Sequence, residues 1–379
     1  MFTLSANIVI QETELVDAAV SWLSGSLPRG WAAQRSTWNV VGPNGREPTT
    51  IDPVITLKGS NSTATFVVEA KRSVSPRDVE RLMAGLSRTL RTFANVSVLV
   101  VAPWLSARTQ ELLRKEEINY VDLTGNAWVR ADYPAVFIRT VGATRNPEPA
   151  AREAARLRGP KAGRLVRALV DVRPPYGVRE LAESIGLTAG YVSRLLDSLD
   201  RDALVDRSRK GEVAAVDYSS LLRRWVETYD VLKSNEARRF VAPEVPRKSL
   251  LRLKSSPSPG RVAVTGSFAA GRIAPVAAPS LLLAYATDIA ATADALNLLP
   301  ADEGANVILL CPYDEAVWSR LDRDDGISYV APSQAAADCL TGTGRMPAEG
   351  EALLAWMVEN ERRWRVPSLR DFVERDRSA

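Results

Sequence analysis

The sequence predicts a multi-domain α/β protein. Its 379 residues suffice for two or three domains, and a hydrophobic content of 46% with nine Trp can build substantial cores. Segments 1–144 and 261–379 alternate short apolar runs with helical patterns, which is typical of sheets covered by helices. Between them, residues 161–218 predict short helices followed by a hairpin, flanked by a linker at 145–160 and a connecting helix and linker at 219–260.

Composition restricts the chemistry available to the chain. The sequence contains no histidine, which excludes Ser-His-Asp hydrolysis, Cys-His chemistry and most zinc sites. Carboxylates, lysines and divalent cations remain as catalytic groups. Cys311 and Cys339 lie in apolar patterns without a CxxC motif, so we predict buried free thiols.

Charge and hydropathy bear on partners and location. The net charge of +4 is mildly basic, so a surface that binds nucleic acid would have to come from local clusters of Arg. The sequence has no run of about 18 apolar residues, and its start lacks a basic leader followed by an apolar core. We therefore expect a soluble, cytoplasmic protein that does not bind a membrane.

The N-terminal segment 1–144 predicts a three-layer α/β domain. Its apolar patterns indicate helices at 12–23, 76–93 and 106–116, strands at 38–41, 54–57, 64–70 and 96–102, and a closing hairpin at 120–130. The hairpin turns at Gly125 and Asn126, a dipeptide suited to a tight turn, and the side chains of Asp122 and Asn126 can cap that turn.

Three polar residues in this segment form a candidate catalytic group. Asp52 begins one predicted strand, and Glu69 and Lys71 end the next, on the same face because side chains in a strand repeat every two residues. Two carboxylates can hold a divalent cation while a lysine orients the attacking water, which would cleave a phosphodiester without histidine. The alternative is a salt bridge from Glu69 to Lys71 or Arg72.

Because of Asp52, Glu69 and Lys71, segment 13–130 resembles the PD-(D/E)xK, restriction-endonuclease-like fold. The resemblance implies that Asp52 and Glu69 bind metal and that Lys71 is catalytic, with Mg²⁺ as cofactor only in that case. The sequence departs from the motif because Pro53 follows Asp52 instead of preceding it. Many proteins keep a fold after losing its chemistry, so a vestigial site is the other outcome.

A second resemblance lies in the stretch EINYVDLTGNAWV at 117–129. It is similar to the signature that precedes the winged helix in bacterial proteins grouped with AbiEi-type antitoxins of type IV toxin-antitoxin systems. That resemblance implies a transcriptional repressor, or an antitoxin that acts on a partner toxin. After it, the Arg- and Pro-rich linker 145–160 either touches phosphates or is simply solvated.

The middle of the chain predicts a winged helix-turn-helix. The apolar face of a first short helix ends at Ile185, Gly186 permits a left-handed turn, and Thr188 can cap a second helix. The inward face of that second helix consists of Val192, Leu195, Leu196 and Leu199. A hairpin with a basic tip then follows up to Tyr218.

This motif makes double-stranded DNA the expected partner. Helix 188–200 would enter the major groove, and the hairpin would contact phosphates. The candidate DNA-binding residues are Thr188, Ala189, Gly190, Tyr191, Ser193 and Arg194 on the helix, with Arg207, Arg209 and Lys210 on the hairpin. The alternative is a winged helix used for protein contacts.

A helix predicted at 219–234 has one continuous apolar face. The residues on that face are Leu221, Leu222, Trp225, Tyr229 and Leu232. This face must be buried, either on the third domain or against its copy in a homodimer that binds two half-sites.

The C-terminal segment 261–379 resembles a nucleotidyltransferase core, because an apolar strand is followed by Gly266 and Ser267. In that fold Gly-Ser begins a helix that holds a triphosphate, and an acidic pair on the next strand holds the metal. The acidic pair is missing here, where residues 278–282 are uncharged, and Asp288 comes too late. We predict a degenerate, nucleotidyltransferase-like domain with a ligand pocket or a purely structural role.

Together these features favour a non-enzymatic, sequence-specific regulator of transcription, expected to be a repressor and a homodimer. The alternative is a magnesium-dependent DNA endonuclease that uses Asp52, Glu69 and Lys71 and is targeted by the winged helix. An antitoxin of a type IV pair is the third hypothesis. No cofactor is expected for the regulator, and a small-molecule effector or a partner protein is left open.

Overall fold

The computed structural model describes residues 12–40, 49–59, 61–79, 81–82, 96–144, 146–147, 157–244, 246–255 and 260–378. The chain is a mixed α/β protein with two large mixed sheets of seven strands each. It divides into two compact units, Met1–Glu153 and Ala154–Ala379. In the described part of the chain, no helix is both long enough and apolar enough to cross a membrane.

Unit 1 contains two named helices and the first sheet. The helices are α1 (Glu12–Ser26) and α2 (Ala107–Lys115), and residues 76–79, 81 and 82 are also helical. The strands are β1 (Ala32–Val40), β2 (Thr49–Lys58), β3 (Thr63–Ala70), β4 (Val96–Ala102), β5 (Asn119–Asp122), β6 (Ala127–Ala131) and β7 (Val136–Thr140).

The first sheet has its strands in chain order, and only β3, β4 and β5 run parallel to one another. Their carboxyl ends therefore meet at one edge. Side chains of β4 are buried on both faces: Leu99 and Val101 pack with α1, whereas Val98 and Val100 pack with Leu113 of α2. Helices thus cover both faces of the sheet, which is the three-layer arrangement that the sequence predicts.

Asp52 lies at an irregular point of this sheet. Ser36 pairs with Val54, but Trp38 pairs with Ile51, so two residues of β2 stand opposite one residue of β1. Those two residues are Asp52 and Pro53, and a bulge suits Pro53 because proline has no N–H for the ladder.

Unit 2 begins with the segment predicted as a winged helix-turn-helix. It contains three helices, α3 (Pro160–Asp171), α4 (Val178–Ser184) and α5 (Ala189–Arg201), and a two-stranded hairpin of β8 (Val205–Arg207) and β9 (Val213–Val216). Helix α6 (Tyr218–Val226) follows directly.

The remainder of unit 2 builds the second sheet. Its strands are β10 (Glu236–Val241), β11 (Val262–Thr265), β12 (Leu282–Ala286), β13 (Leu299–Pro300), β14 (Val307–Cys311), β15 (Asp322–Asp324) and β16 (Ile327–Tyr329), in the order β13-β10-β14-β12-β11-β16-β15. Its helices are α7 (Pro246–Ser255), α8 (Gly266–Ile273), α9 (Ile289–Ala295), the 3-10 turn Glu315–Trp318, α10 (Pro332–Leu340), α11 (Met346–Glu359), α12 (Glu361–Trp364) and α13 (Leu369–Ser378).

The segment 219–260, predicted as a connecting helix and linker, supplies a strand to this sheet. Glu236 pairs with Cys311 and Phe240 pairs with Val307, so β10 is an integral member. The sequence lacks a strand signal there because most side chains of β10 are exposed, and the apolar alternation of a half-buried strand is absent.

One hydrophobic core joins the helix-turn-helix segment to the second sheet. It includes Leu165 of α3, Leu196 of α5 and Leu309 of β14. On α6, Leu221, Leu222 and Trp225 are fully or almost fully buried within the same unit. Segments 161–218 and 261–379 are therefore parts of one compact unit, and the apolar face of α6 packs inside it.

Candidate functional site

In the turn between α4 and α5, Gly186 and Thr188 have the roles that the sequence predicts. Gly186 has φ +65°, the left-handed conformation that glycine adopts without a steric penalty. The side chain of Thr188 accepts a hydrogen bond from the backbone N–H of Tyr191 at 3.4 Å, so Thr188 is the N-cap of α5. The two helices are thus set at a defined angle by local residues.

Helix α5 presents a narrow polar face to solvent. Val192, Leu195, Leu196 and Leu199 are buried, as the spacing predicts. On the opposite side Thr188, Gly190 and Arg194 are exposed, and Ser193 is half-buried. Ala189 and Tyr191 pack partly against the core, so these two residues contribute less to the outer surface.

The hairpin tip carries two exposed cations, Arg209 and Lys210. Gly211, with φ +84°, closes the turn, and the backbone N–H of Gly211 donates to the carbonyl oxygen of Ser208 at 2.9 Å. The tip is therefore a short basic loop held on a two-stranded base.

Arg207 has a different environment from its two basic neighbours. Its guanidinium forms an ion pair with Asp197 of α5 and donates to the carbonyl oxygen of Gly211 at 3.1 and 3.2 Å. It is 21% exposed. Arg207 therefore fastens the hairpin to α5 and neutralises Asp197, and its donors are already engaged within the protein.

A contact from outside the motif supports the turn. Arg164 of α3 donates to the carbonyl oxygen of Ile185, the last residue before Gly186, at 3.2 Å. The same guanidinium binds Asp314, which is 150 positions away in the sequence, at 2.6 Å. The hydrogen bond to Asp314 raises the pKa of Arg164, and burial lowers it. No local pattern predicts such a distant pairing.

The second candidate group lies at the carboxyl edge of the parallel strands in unit 1. The Lys71 Nζ lies 2.8 Å from the Glu69 Oε1, with the side chains 48% and 35% exposed. The hydrogen bond and the charge of Glu69 raise the pKa of Lys71. The salt bridge that the sequence offered as the alternative is thus present.

Asp52 belongs to β2, but its side chain lies outside the described residues. Pairing of β2 with β3 ends at Val54 and Val67, and continuing that register by two residues would set Asp52 opposite Glu69. Among the described side chains, no group of three or more acidic or sulfur ligands could hold a metal ion.

The loop 122–126 at the same edge is built around a buried carboxylate. Asp122 accepts hydrogen bonds from the backbone N–H groups of Leu105, Thr124 and Asn126 at 2.9–3.0 Å, and from the Asn126 side chain at 2.8 Å. The predicted capping roles of Asp122 and Asn126 are confirmed. Asn126 also accepts from the N–H of Gly142 at 2.8 Å, which fixes the chain that leaves β7.

In unit 2, the Gly266-Ser267 turn is covered by protein. The hydroxyl of Ser267 bonds to the buried carboxylate of Glu349, and a Cβ on Gly266 would lie 2.9 Å from the side chain of Met346. Both Glu349 and Met346 belong to α11. The position where a triphosphate would approach is therefore filled by a helix, which agrees with the missing acidic pair.

Comparison of the chain with models of protein families, with curated proteins and with solved structures finds no match. The helix and hairpin candidates lie in unit 2, where α5 and the hairpin are joined by Arg207, whereas Glu69 and Lys71 lie in unit 1.

Proposed function

We propose that the protein is a sequence-specific, double-stranded DNA-binding regulator of transcription, acting as a repressor, in which segment 161–218 is a winged helix-turn-helix. The observation that carries the proposal is the capped helix α5, which has a polar outer face and a basic hairpin fastened beside it. A helix of this kind inserts in the major groove, and the adjacent wing follows the phosphate backbone.

The outer face of α5 suits base contacts near its N-terminus. Gly190 has no heavy atom within 4 Å of where a Cβ would be, and the exposed Thr188 beside it is small, so the helix end can approach a groove closely. Arg194 is exposed one turn later and can bond a guanine edge through its planar fork. Thr188, Ser193 and Arg194 are thus the residues from which specificity is expected.

The hairpin supplies the phosphate contacts. Arg209 and Lys210 are both exposed at its tip, so they can neutralise backbone charge without losing internal partners. Arg207 instead holds the hairpin in place. We expect the protein to bind as a homodimer, because a single helix covers only one half-site.

Mobility-shift titration of the full chain with selected genomic fragments tests this function. We expect a fragment to bind at least about 100-fold more tightly than unrelated DNA, and Arg194→Ala to weaken that complex. The matched control is Arg238→Ala, which removes an exposed arginine of β10 that pairs with Glu236. Equal binding to all fragments, with no effect of Arg194→Ala, would contradict the proposal.

A magnesium-dependent endonuclease is the second candidate, favoured by the position of Glu69 and Lys71 on one strand end. Asp52 and Glu69 would hold the cation, and Lys71 would orient the attacking water. Glu69 must leave its contact with Lys71, or share it, to bind a metal. The resemblance to AbiEi-type antitoxins supports the repressor and, as a third hypothesis, an antitoxin.

A further inference from the structure

A single polar stripe runs along the outer face of α5. Gly190, Ser193, Arg194 and Asp197 follow the spacing i, i+3, i+4 and i+7, which places them on one side of the helix. All four are exposed except Ser193, which is half-buried. Recognition helices that lie in the major groove contact base edges from positions with this same spacing. The stripe therefore extends about one turn beyond Arg194, to Asp197.

Asp197 has a charge of the same sign as DNA. Its side chain is 58% exposed although it pairs with Arg207. A carboxylate that faces a phosphate weakens binding by repulsion. A carboxylate that faces a base edge in the major groove can instead accept a hydrogen bond from the amine of a cytosine or an adenine. Because Asp197 shares its stripe with Arg194, its position indicates a contact with a base.

The hairpin holds the carboxylate of Asp197 in one orientation. Arg207 donates to the Asp197 Oδ1, and two further hydrogen bonds fix the same guanidinium to the carbonyl oxygen of Gly211. The pairing of β8 with β9 is irregular between Asp206 and Arg207, and such bulges re-aim the side chains beside them. Among the described residues, no donor contacts the Asp197 Oδ2. This oxygen is therefore left for a donor on DNA.

The separation of Arg194 and Asp197 matches that of neighbouring base pairs. Three residues span about 4.5 Å along a helix axis, and the bases of one DNA strand are about 3.4 Å apart along the duplex. A helix that lies in the groove can therefore direct these two side chains to adjacent base pairs. The fork of Arg194 suits the two acceptors of a guanine, and the free oxygen of Asp197 suits a donor.

We infer that Asp197 accepts a hydrogen bond from the N4 amine of a cytosine and is a specificity-determining residue, an inference that rests on the proposed function. Cytosine suits the carboxylate better than adenine, because adenine carries the N7 acceptor beside its amine and this acceptor repels a carboxylate. Arg207, which orients Asp197, acts as a positioning residue for the same contact. The preferred DNA site then has a cytosine in the base pair next to the guanine that Arg194 contacts.

Selection of fragments from a randomised pool of double-stranded DNA by the full chain, followed by mobility shift with every single-base change of the selected site, tests this inference. We expect one cytosine to be preferred by at least about fivefold. Asp197→Ala should reduce that preference below about twofold, and Asp197→Asn should move it to adenine, because an amide bonds to the N6 and N7 of adenine. Arg194→Ala should affect a different position. The matched control is Asp294→Asn, an exposed aspartate of α9.

Two results would overturn the role of Asp197 while the proposed function stays supported. One is a selected site whose preferred bases are the same in Asp197→Ala and Asp197→Asn. The other is an equal gain in affinity of Asp197→Ala for all fragments, which would show that the carboxylate only repels phosphates. Asp197→Asn keeps the shape of the side chain and decides the question should the unfolding temperature show that Asp197→Ala is not folded. Selection of no sequence by the unmodified chain contradicts the proposed function itself, so the two failures are distinguishable.

Discussion

Arg164 binds both oxygens of Asp314, at 3.1 and 2.6 Å, and its remaining nitrogen donates to the carbonyl oxygen of Ile185 at 3.2 Å. One side chain of α3 thus connects the segment before the 3-10 turn to the turn between α4 and α5. Asp314 is 5% exposed and Arg164 is 32% exposed. The pair is sufficiently shielded from water for the contact to contribute to stability.

Replacement of Asp314 by Asn is expected to lower the free energy of unfolding by about 1–2 kcal/mol, since a charged hydrogen-bond partner is lost. The amide oxygen can still accept from the N–H of Ala316, so the cap of the 3-10 turn is kept. Denaturant titration of Asp314→Asn, Arg164→Gln and the double variant measures the coupling directly. Glu236→Gln, in an exposed pair, is the control, and additive effects of Arg164→Gln and Asp314→Asn would show that the two residues do not interact.

In the proposed DNA complex, the two cations at the hairpin tip should dominate the salt dependence of binding. Each phosphate contact changes the slope of log affinity against log salt by about 0.9, so Arg209→Ala with Lys210→Ala should reduce the slope by nearly two. Fluorescence anisotropy over a range of KCl concentrations measures this slope.

Arg207→Ala should behave differently, because Arg207 binds Asp197 and Gly211 within the protein. We expect weaker binding and lower stability with little change in slope. A slope reduced by Arg207→Ala as much as by Lys210→Ala would contradict this division of roles.

The helices α4 and α5 and the turn between them could be predicted in detail because their signals are local. Gly186 ends one helix, Thr188 caps the next, and the buried positions of α5 repeat with the helical period. Strands β3 and β4 of unit 1 were predictable for the same reason. Each of these features depends on residues within a few positions of one another.

Other features depend on residues far apart in the chain and could not be predicted. The role of Arg164 is set by Asp314, 150 positions away. Strand β10 has exposed side chains on both faces over most of its length, so its place in the sheet follows from backbone pairing with β13 and β14. Hydrophobic periodicity along the sequence does not predict such long-range pairings.

Asp338 should make stability depend on pH. It is fully buried and accepts hydrogen bonds from Thr265 and Tyr229, both at 2.6 Å, and from Gln334 at 2.8 Å. Burial raises the pKa of Asp338 to about 6, against the lowering effect of these bonds. The folded state therefore holds a proton that the unfolded state releases near pH 4.

The contribution of Asp338 is fully present below about pH 4 and is lost as pH rises to about 6. We expect Asp338→Asn, which cannot ionise, to gain about 2–3 kcal/mol relative to the unmodified protein between pH 4 and pH 7. Urea titrations of both proteins across this range measure the difference. A difference that does not vary with pH would show that Asp338 keeps its ordinary pKa.

The nuclease alternative predicts metal-dependent cleavage that requires Glu69. Incubation of plasmid DNA with Mg²⁺ or Mn²⁺ should give cleavage that is abolished in Glu69→Gln and Lys71→Met, because the cation or the water would lose its ligand. Glu111→Gln, which disrupts the exposed pair with Arg108, is the control. Cleavage that survives Glu69→Gln excludes this site, and lack of cleavage by the unmodified protein excludes the nuclease.

Gly142 should be the least replaceable of the glycines that the structure describes in unit 1. A Cβ there would lie 2.2 Å from the carbonyl oxygen of Thr124 and 2.7 Å from the backbone nitrogen of Asn126, and neither backbone atom can turn aside. Gly142→Ala must therefore displace the loop that Asp122 organises, at an expected cost of about 3 kcal/mol or more.

The matched control is Gly25→Ala in α1, where no heavy atom lies within 4 Å of the new Cβ. That change should be neutral or stabilising by up to about 1 kcal/mol, because alanine is the better helix former. Thermal unfolding of the two variants measures the contrast. Similar midpoints for Gly142→Ala and the unmodified protein would mean that the loop 122–126 accommodates a side chain, and that the contacts of Asn126 with Gly142 do not constrain it.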